Sequence, residues 1–230
     1  MKKTASNYIL RQHNTLLGKY GESIKSLGIL HGQTIKYHIA SQIGISKNSA
    51  VLDVGCGFGD FYGFLKYRKI KVNYLGVDLN ENFVRIARKR YPDTSFEVRD
   101  ISKKPFSKKF DWVIGIGITN YTSDNLNKTL LEEMFRICKK GVFIDFLTTY
   151  VDYKDKENHY KSPEKMFKFA KSLTRRVSLR HDYQPFYFCL YLYKDDTKNK
   201  KNYFRQYYQS LPKVLREDLW LEKMTKRRGK

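Results

Sequence analysis

Apolar positions along the chain change their spacing in a regular way. In "QTIKYHIASQIG", Ile35, Ile39 and Ile43 recur every four residues, the period of a helix with one buried face, and Gly44 suits its C-terminal cap. Residues 6–43 read as helical, with breaks at 18–21 and 28–32. Short apolar runs then alternate with helix-period stretches. Residues 51–54 predict a strand, followed by a helix from about residue 58. A second strand is expected over 72–77. The helix after it, over 81–91, carries Phe83, Ile86 and Ala87 on one face. Further strands are expected over 96–98 and 110–118, then a helix over 126–138 that ends on Lys139, Lys140 and Gly141. A fifth strand covers 142–147. Strands interrupted by helices of this length predict an α/β fold with a doubly wound, mostly parallel seven-stranded sheet.

The pattern changes after residue 147. Ser162 as N-cap and Pro163 in the first turn start a helix. The alternating stretches "RRVSLRHDY" and "PFYFCLYLYKD" are joined only by a turn at Gln184-Pro185, which leaves no room for a crossover helix. They predict an antiparallel hairpin whose second arm, 186–193, is a reversed edge strand. From residue 195 the chain becomes polar and basic, then predicts a helical extension broken at Pro212. Three regions follow: an N-terminal helical cap or lid over 1–48, a core over 49–194 and a basic helical extension over 195–230.

Composition adds three constraints. A chain of 230 residues supports one sizeable core. No apolar run approaches the roughly 20 residues of a membrane span, and the basic start lacks the apolar stretch of a leader, so a cytoplasmic protein is expected. Cys56, Cys138 and Cys189 are odd in number and widely spaced, with neither metal nor disulfide patterning. The formal charge of +22 predicts attraction to polyanions: nucleic acid, anionic head groups or phosphorylated substrates. It is spread in pairs such as Lys103-Lys104 and Lys108-Lys109, which argues against one dedicated nucleic-acid groove.

The candidate chemistry lies in "VLDVGCGFGDF", between the first strand and its helix. A glycine-rich turn there lets a ligand approach the backbone closely. The dinucleotide pattern G-x-G-x-x-G fails, because Asp60 stands at its third glycine and Gly59 falls one residue early. No Gly-Lys-Ser/Thr follows either. Asp53, inside the strand, would repel a pyrophosphate and suits a ligand carrying positive charge.

"VLDVGCGFGDF", "YLGVDLNENFVRIAR", "FEVRDI" and "DWVIGIGI", in that order, resemble the motifs of class I S-adenosylmethionine-dependent methyltransferases, a Rossmann-like family. The resemblance covers about residues 49–194. It implies that S-adenosylmethionine binds at Asp53, Gly55, Cys56, Gly57 and Gly59, that Asp78 takes the ribose hydroxyls beside Leu79, and that Asp100 and Ile101 hold the adenine. Gly115 and Ile116 would lie beneath the donor at the end of strand four. No metal is required.

For the acceptor, the segment after strand four lacks the paired prolines of amino-group methylation on bases, and no cysteine stands where C5 methylation needs its nucleophile. A small molecule methylated on O or N is expected, polar or anionic. Similarity to bacterial-type members of the family suggests a sugar or sugar nucleotide. The insert "TTYVDYKDKENHYKSPEK", at the sheet's carboxyl edge, supplies His159 and Tyr150 as catalytic candidates, with Tyr121 after strand four. Two alternatives stand beside this reading. One is an RNA methyltransferase that uses the tyrosine-rich basic tail; the other is a donor-binding interaction protein without turnover.

Overall fold

A computed structural model describes residues 5–28 and 32–194. The extension expected over 195–230 lies outside the described residues. The chain opens with α1 (Ala5–Tyr20), a 3-10 turn (Ile24–Leu27) and α2 (Gln33–Ser41). Then come β1 (Ala50–Val54), α3 (Asp60–Tyr67), β2 (Asn73–Asp78), α4 (Glu81–Arg90), β3 (Ser95–Val98) and β4 (Phe110–Gly115). It closes with α5 (Asp124–Ile137), β5 (Cys138–Leu147), α6 (Pro163–Leu173), β6 (Arg176–Gln184) and β7 (Tyr187–Tyr193).

The seven strands form one sheet in the order β3-β2-β1-β4-β5-β7-β6. The pairs joining β1 to β5 are parallel, and β7 is antiparallel to both β5 and β6. Alternate residues of each strand feed opposite faces: Val51 packs with Phe61, Leu65 and Trp112 on one side, Leu52 with Leu131, Met134 and Ile144 on the other. Ser162 caps α6 as expected, its hydroxyl accepting from the Lys165 N–H.

Four expectations are corrected. The reversed strand is not the edge. In β7 the run Phe188–Leu192 is buried on both faces, whereas β6 carries Arg176, Arg180, His181 and Asp182 and takes the solvated outer position. The helix over 126–138 does not end on Lys139–Gly141: α5 runs directly into β5, which contains those residues. A Cβ on Gly141 would stand 2.5 Å from the Leu192 carbonyl oxygen, so this glycine is there for sheet packing, not for a cap. Strand four stops at Gly115, because Gly117 turns the chain with φ of +73°. In α2, Ile35 is 46% exposed, and the buried face carries Lys36, Tyr37, Ile39 and Ala40 instead.

Candidate functional site

The carboxyl ends of β1, β2 and β4 converge on one crevice. After β1 the chain turns through Gly55, whose N–H and that of Cys56 donate to the Val77 carbonyl at 2.8 and 3.0 Å. Those bonds tie the turn to β2, whose last residue is Asp78. The Gly57 N–H donates to Asp78 Oδ2 at 2.9 Å, and the Asn80 N–H to Oδ1 at 2.8 Å. Gly55 has φ of +70°, and a Cβ there would lie 2.2 Å from Ile118 Cγ2. Only glycine fits both the conformation and the space.

Charge in the crevice follows from burial. Burial pushes the Asp78 carboxyl up, opposed by the N–H groups of Asn80, Gly57 and Leu79. Asp53 is 2% exposed and accepts from the Tyr74 hydroxyl. Burial raises it to about 7, against that hydrogen bond, with Asp78 and Asp60 pushing the same way. Burial also raises the Cys56 thiol well above its usual range, which makes it an inert wall.

A cavity of about 1010 Å³ opens from this crevice. Ligand sites usually enclose roughly 300–1,000 Å³, so it has room for two reactants side by side. Asp53, Gly55, Cys56, Gly57, Asp78 and Leu79 line it, together with Asp100, Ile101 and Ile116. Gly59 and Gly115 do not. A Cβ on Gly59 would meet Phe96 at 2.8 Å, and one on Gly115 would meet Ile118 at 2.5 Å, so both are packing glycines behind the wall. Asp100 holds its own loop: it accepts from the Ser102 N–H at 3.0 Å and pairs with Lys103 at 3.3 Å. Burial pushes its carboxyl up, but the Ser102 hydroxyl, Lys103 and the Ser102 N–H together hold it below its usual range.

Of the three catalytic candidates, the structure brings only Tyr121 into the cavity. Tyr150 is 62% exposed, and its hydroxyl donates to Glu164 Oε1. His159 is exposed, and its backbone N–H donates to the Asn120 carbonyl at 2.7 Å. The insert turns on Asp155, whose carboxylate accepts from the N–H groups of Glu157 and Asn158. That turn directs Asn158 and Tyr160 to the cavity wall and leaves His159 between them facing out.

The residue missed from the sequence is His13. Ser6, Ile9, Leu10 and His13 all line the cavity from α1, at the spacing of one helical face. The His13 ring lies 5.4 Å from Phe83 and 6.0 Å from Tyr121, centroid to centroid. Burial lowers its pKa, so the imidazole is neutral near pH 7 and can take a proton. The stripe was visible in the sequence, but it looked like any amphipathic helix.

A buried ion pair closes the far wall. Lys36 Nζ lies 3.1 Å from Asp145 Oδ2, with the two side chains 5% and 0% exposed. Asp145 Oδ1 accepts the Gly117 N–H at 2.6 Å. Among the described residues no other group bonds to Oδ2, so the ammonium balances that oxygen. Lys36 also sits over the Tyr187 ring, 3.1 Å from its centroid.

Residues 51–141 match the family model described as a methyltransferase domain. The chain is 24% identical over 155 residues to a putative methyltransferase of Mycobacterium tuberculosis, covering 63% of this chain and 93% of that one. It is 30% identical over 73 residues to a putative methyltransferase of Invertebrate iridescent virus 6, covering 32% of this chain and 28% of that protein's length. Magnesium protoporphyrin IX methyltransferase from Synechocystis, solved with bound S-adenosylhomocysteine, superposes with a TM-score of 0.64 at 12% identity. The match covers 84% of this chain and all of that one. Residues 51–141 therefore resemble a methyltransferase domain, and the chain has the class I, Rossmann-like fold, which in the Synechocystis enzyme has also been solved with S-adenosylmethionine bound. The crevice suits that molecule. Asp78 keeps free lone pairs for paired hydroxyls, and the buried carboxylates favour a sulfonium over a pyrophosphate.

Proposed function

We propose that the chain transfers a methyl group from S-adenosylmethionine to an oxygen or nitrogen of a small molecule held under α1. The observation that carries this is one continuous cavity, running from the glycine turn and Asp78 to the His13–Tyr121 pair. When bound, S-adenosylmethionine supplies the methyl carbon: the acceptor's lone pair bonds to it while the C–S bond breaks and its electrons return to sulfur, leaving S-adenosylhomocysteine. Asp78 orients the ribose, and Asp53 offers negative charge to the donor's cationic groups. Asp100 and Ile101 border the adenine. The acceptor's displaced proton passes to the neutral His13 imidazole and from there to water. Neither Tyr150 nor His159 is needed for this chemistry.

The test is label transfer. Given labelled S-adenosylmethionine and a cell extract, the full chain is expected to put label into one small product. His13→Asn should lower that labelling about 100-fold with S-adenosylhomocysteine affinity unchanged. Equal labelling by the variant removes His13 from the mechanism.

A further inference from the structure

We infer that the acceptor is an anionic amphiphile, a molecule with a bulky apolar body and one acidic group. This rests on the methyltransferase reading above. Exposed apolar side chains scattered singly over a surface are ordinary. Here three of them converge on one opening. Leu126 at the start of α5, Tyr153 in the insert and Phe186 in the β6–β7 turn are 48%, 76% and 56% exposed, and all three line the cavity. Inside, Ile9 and Leu10 of α1 continue the apolar wall. An apolar body entering there would cover surface that water now wets.

Part of the polar lining on this side is already engaged, although Asn120 Oδ1 and Gln184 Oε1 have no hydrogen-bond partner among the described residues. Asp155 accepts from Asn158, from two backbone N–H groups and from the Tyr160 hydroxyl, and Gln184 Nε2 donates to the Gly32 carbonyl. Lys36 differs. It is 4% exposed, lines the cavity, and has three N–H donors, yet among the described residues it meets only Asp145 and the Tyr187 ring. Tyr187 directly follows Phe186, so the ammonium lies next to the apolar rim. A carboxylate, phosphate or sulfonate there gains charge-assisted hydrogen bonds, and the net charge of +22 draws such a molecule in.

The experiment uses the full chain saturated with S-adenosylhomocysteine and titrated with the fluorescent sulfonate 8-anilinonaphthalene-1-sulfonate. One dye is expected to bind per chain without displacing S-adenosylhomocysteine, and more weakly as salt rises. Phe186→Asp and Leu126→Asp should each weaken it about tenfold while S-adenosylhomocysteine affinity stays the same. Both residues are surface-exposed, and unchanged S-adenosylhomocysteine affinity shows that each variant has folded. Uncharged N-phenyl-1-naphthylamine should bind less tightly than the sulfonate. The inference is overturned if S-adenosylhomocysteine displaces the dye, if both variants bind like the parent, or if the neutral dye binds equally well and salt has no effect. A chain that fails to bind S-adenosylhomocysteine at all refutes the methyltransferase reading instead, and does so in a separate readout.

Discussion

The two ends of the cavity are made from different materials. The donor end consists of strand termini and backbone: a glycine turn tied to Val77, and a carboxylate at the end of β2 held by two N–H groups. The acceptor end consists of side chains from α1, α2, the insert and the β6–β7 turn. Backbone at strand ends is fixed by the sheet, so it suits a ligand that never changes. Helices and inserts can be altered without disturbing the sheet, so they suit a ligand that differs from one relative to the next.

The contrast breaks most visibly at Lys36, whose ion pair with Asp145 ties the acceptor end to the sheet. Lys36→Met leaves Asp145 buried without its counter-charge, and such losses cost about 3–5 kcal/mol. The melting temperature should fall sharply, and Lys36→Met combined with Asp145→Leu should recover much of the loss. If Lys36→Met melts like the parent, the pair does not anchor α2. Next in size is Gly55→Ala, which forces a Cβ toward Ile118 at a positive φ. Donor affinity should fall about 100-fold, or about 2.7 kcal/mol, with dye binding at the acceptor end little changed. Equal losses at both ends would erase the distinction between them.

Asp53 sharpens the contrast through pH. Its folded carboxyl, at about 7, holds a proton more firmly than the unfolded chain does. That contribution to stability is complete below the ordinary carboxylate range and is lost as pH rises through 7. Asp53→Asn should therefore melt progressively higher than the parent as pH is raised across this window. Donor affinity of the parent should rise over the same window, because the ionised carboxylate attracts the sulfonium, and the variant's should stay flat. A parent affinity independent of pH would separate Asp53 from the donor.

The same division explains what could be read from the chain. "VLDVGCGFGDF" and the acid at Asp78 are legible because each sits at a strand end, where local sequence fixes its position. The acceptor end depends on contacts between distant segments. Nothing near Lys36 signals that Asp145 will bury it, so the apolar spacing favoured Ile35, which the structure exposes. His159 and Tyr150 have suitable chemistry, but His159 lies on the outer side of a turn set by Asp155, and Tyr150 is exposed with its hydroxyl on Glu164. His13 lies where α1 crosses Phe83 and Tyr121, a placement that helical periodicity alone does not reveal. The order of β6 and β7 was decided by burial on both faces, which separates two alternating strands only when they are compared with each other.

Everything above requires a thioether nucleoside to seat itself against Asp78, and calorimetric titration of the full chain with S-adenosylhomocysteine measures that directly. One molecule should bind per chain, and Asp78→Ala should weaken binding at least about tenfold. A parent that releases no heat, or an Asp78→Ala variant that binds as tightly as the parent, would contradict the account.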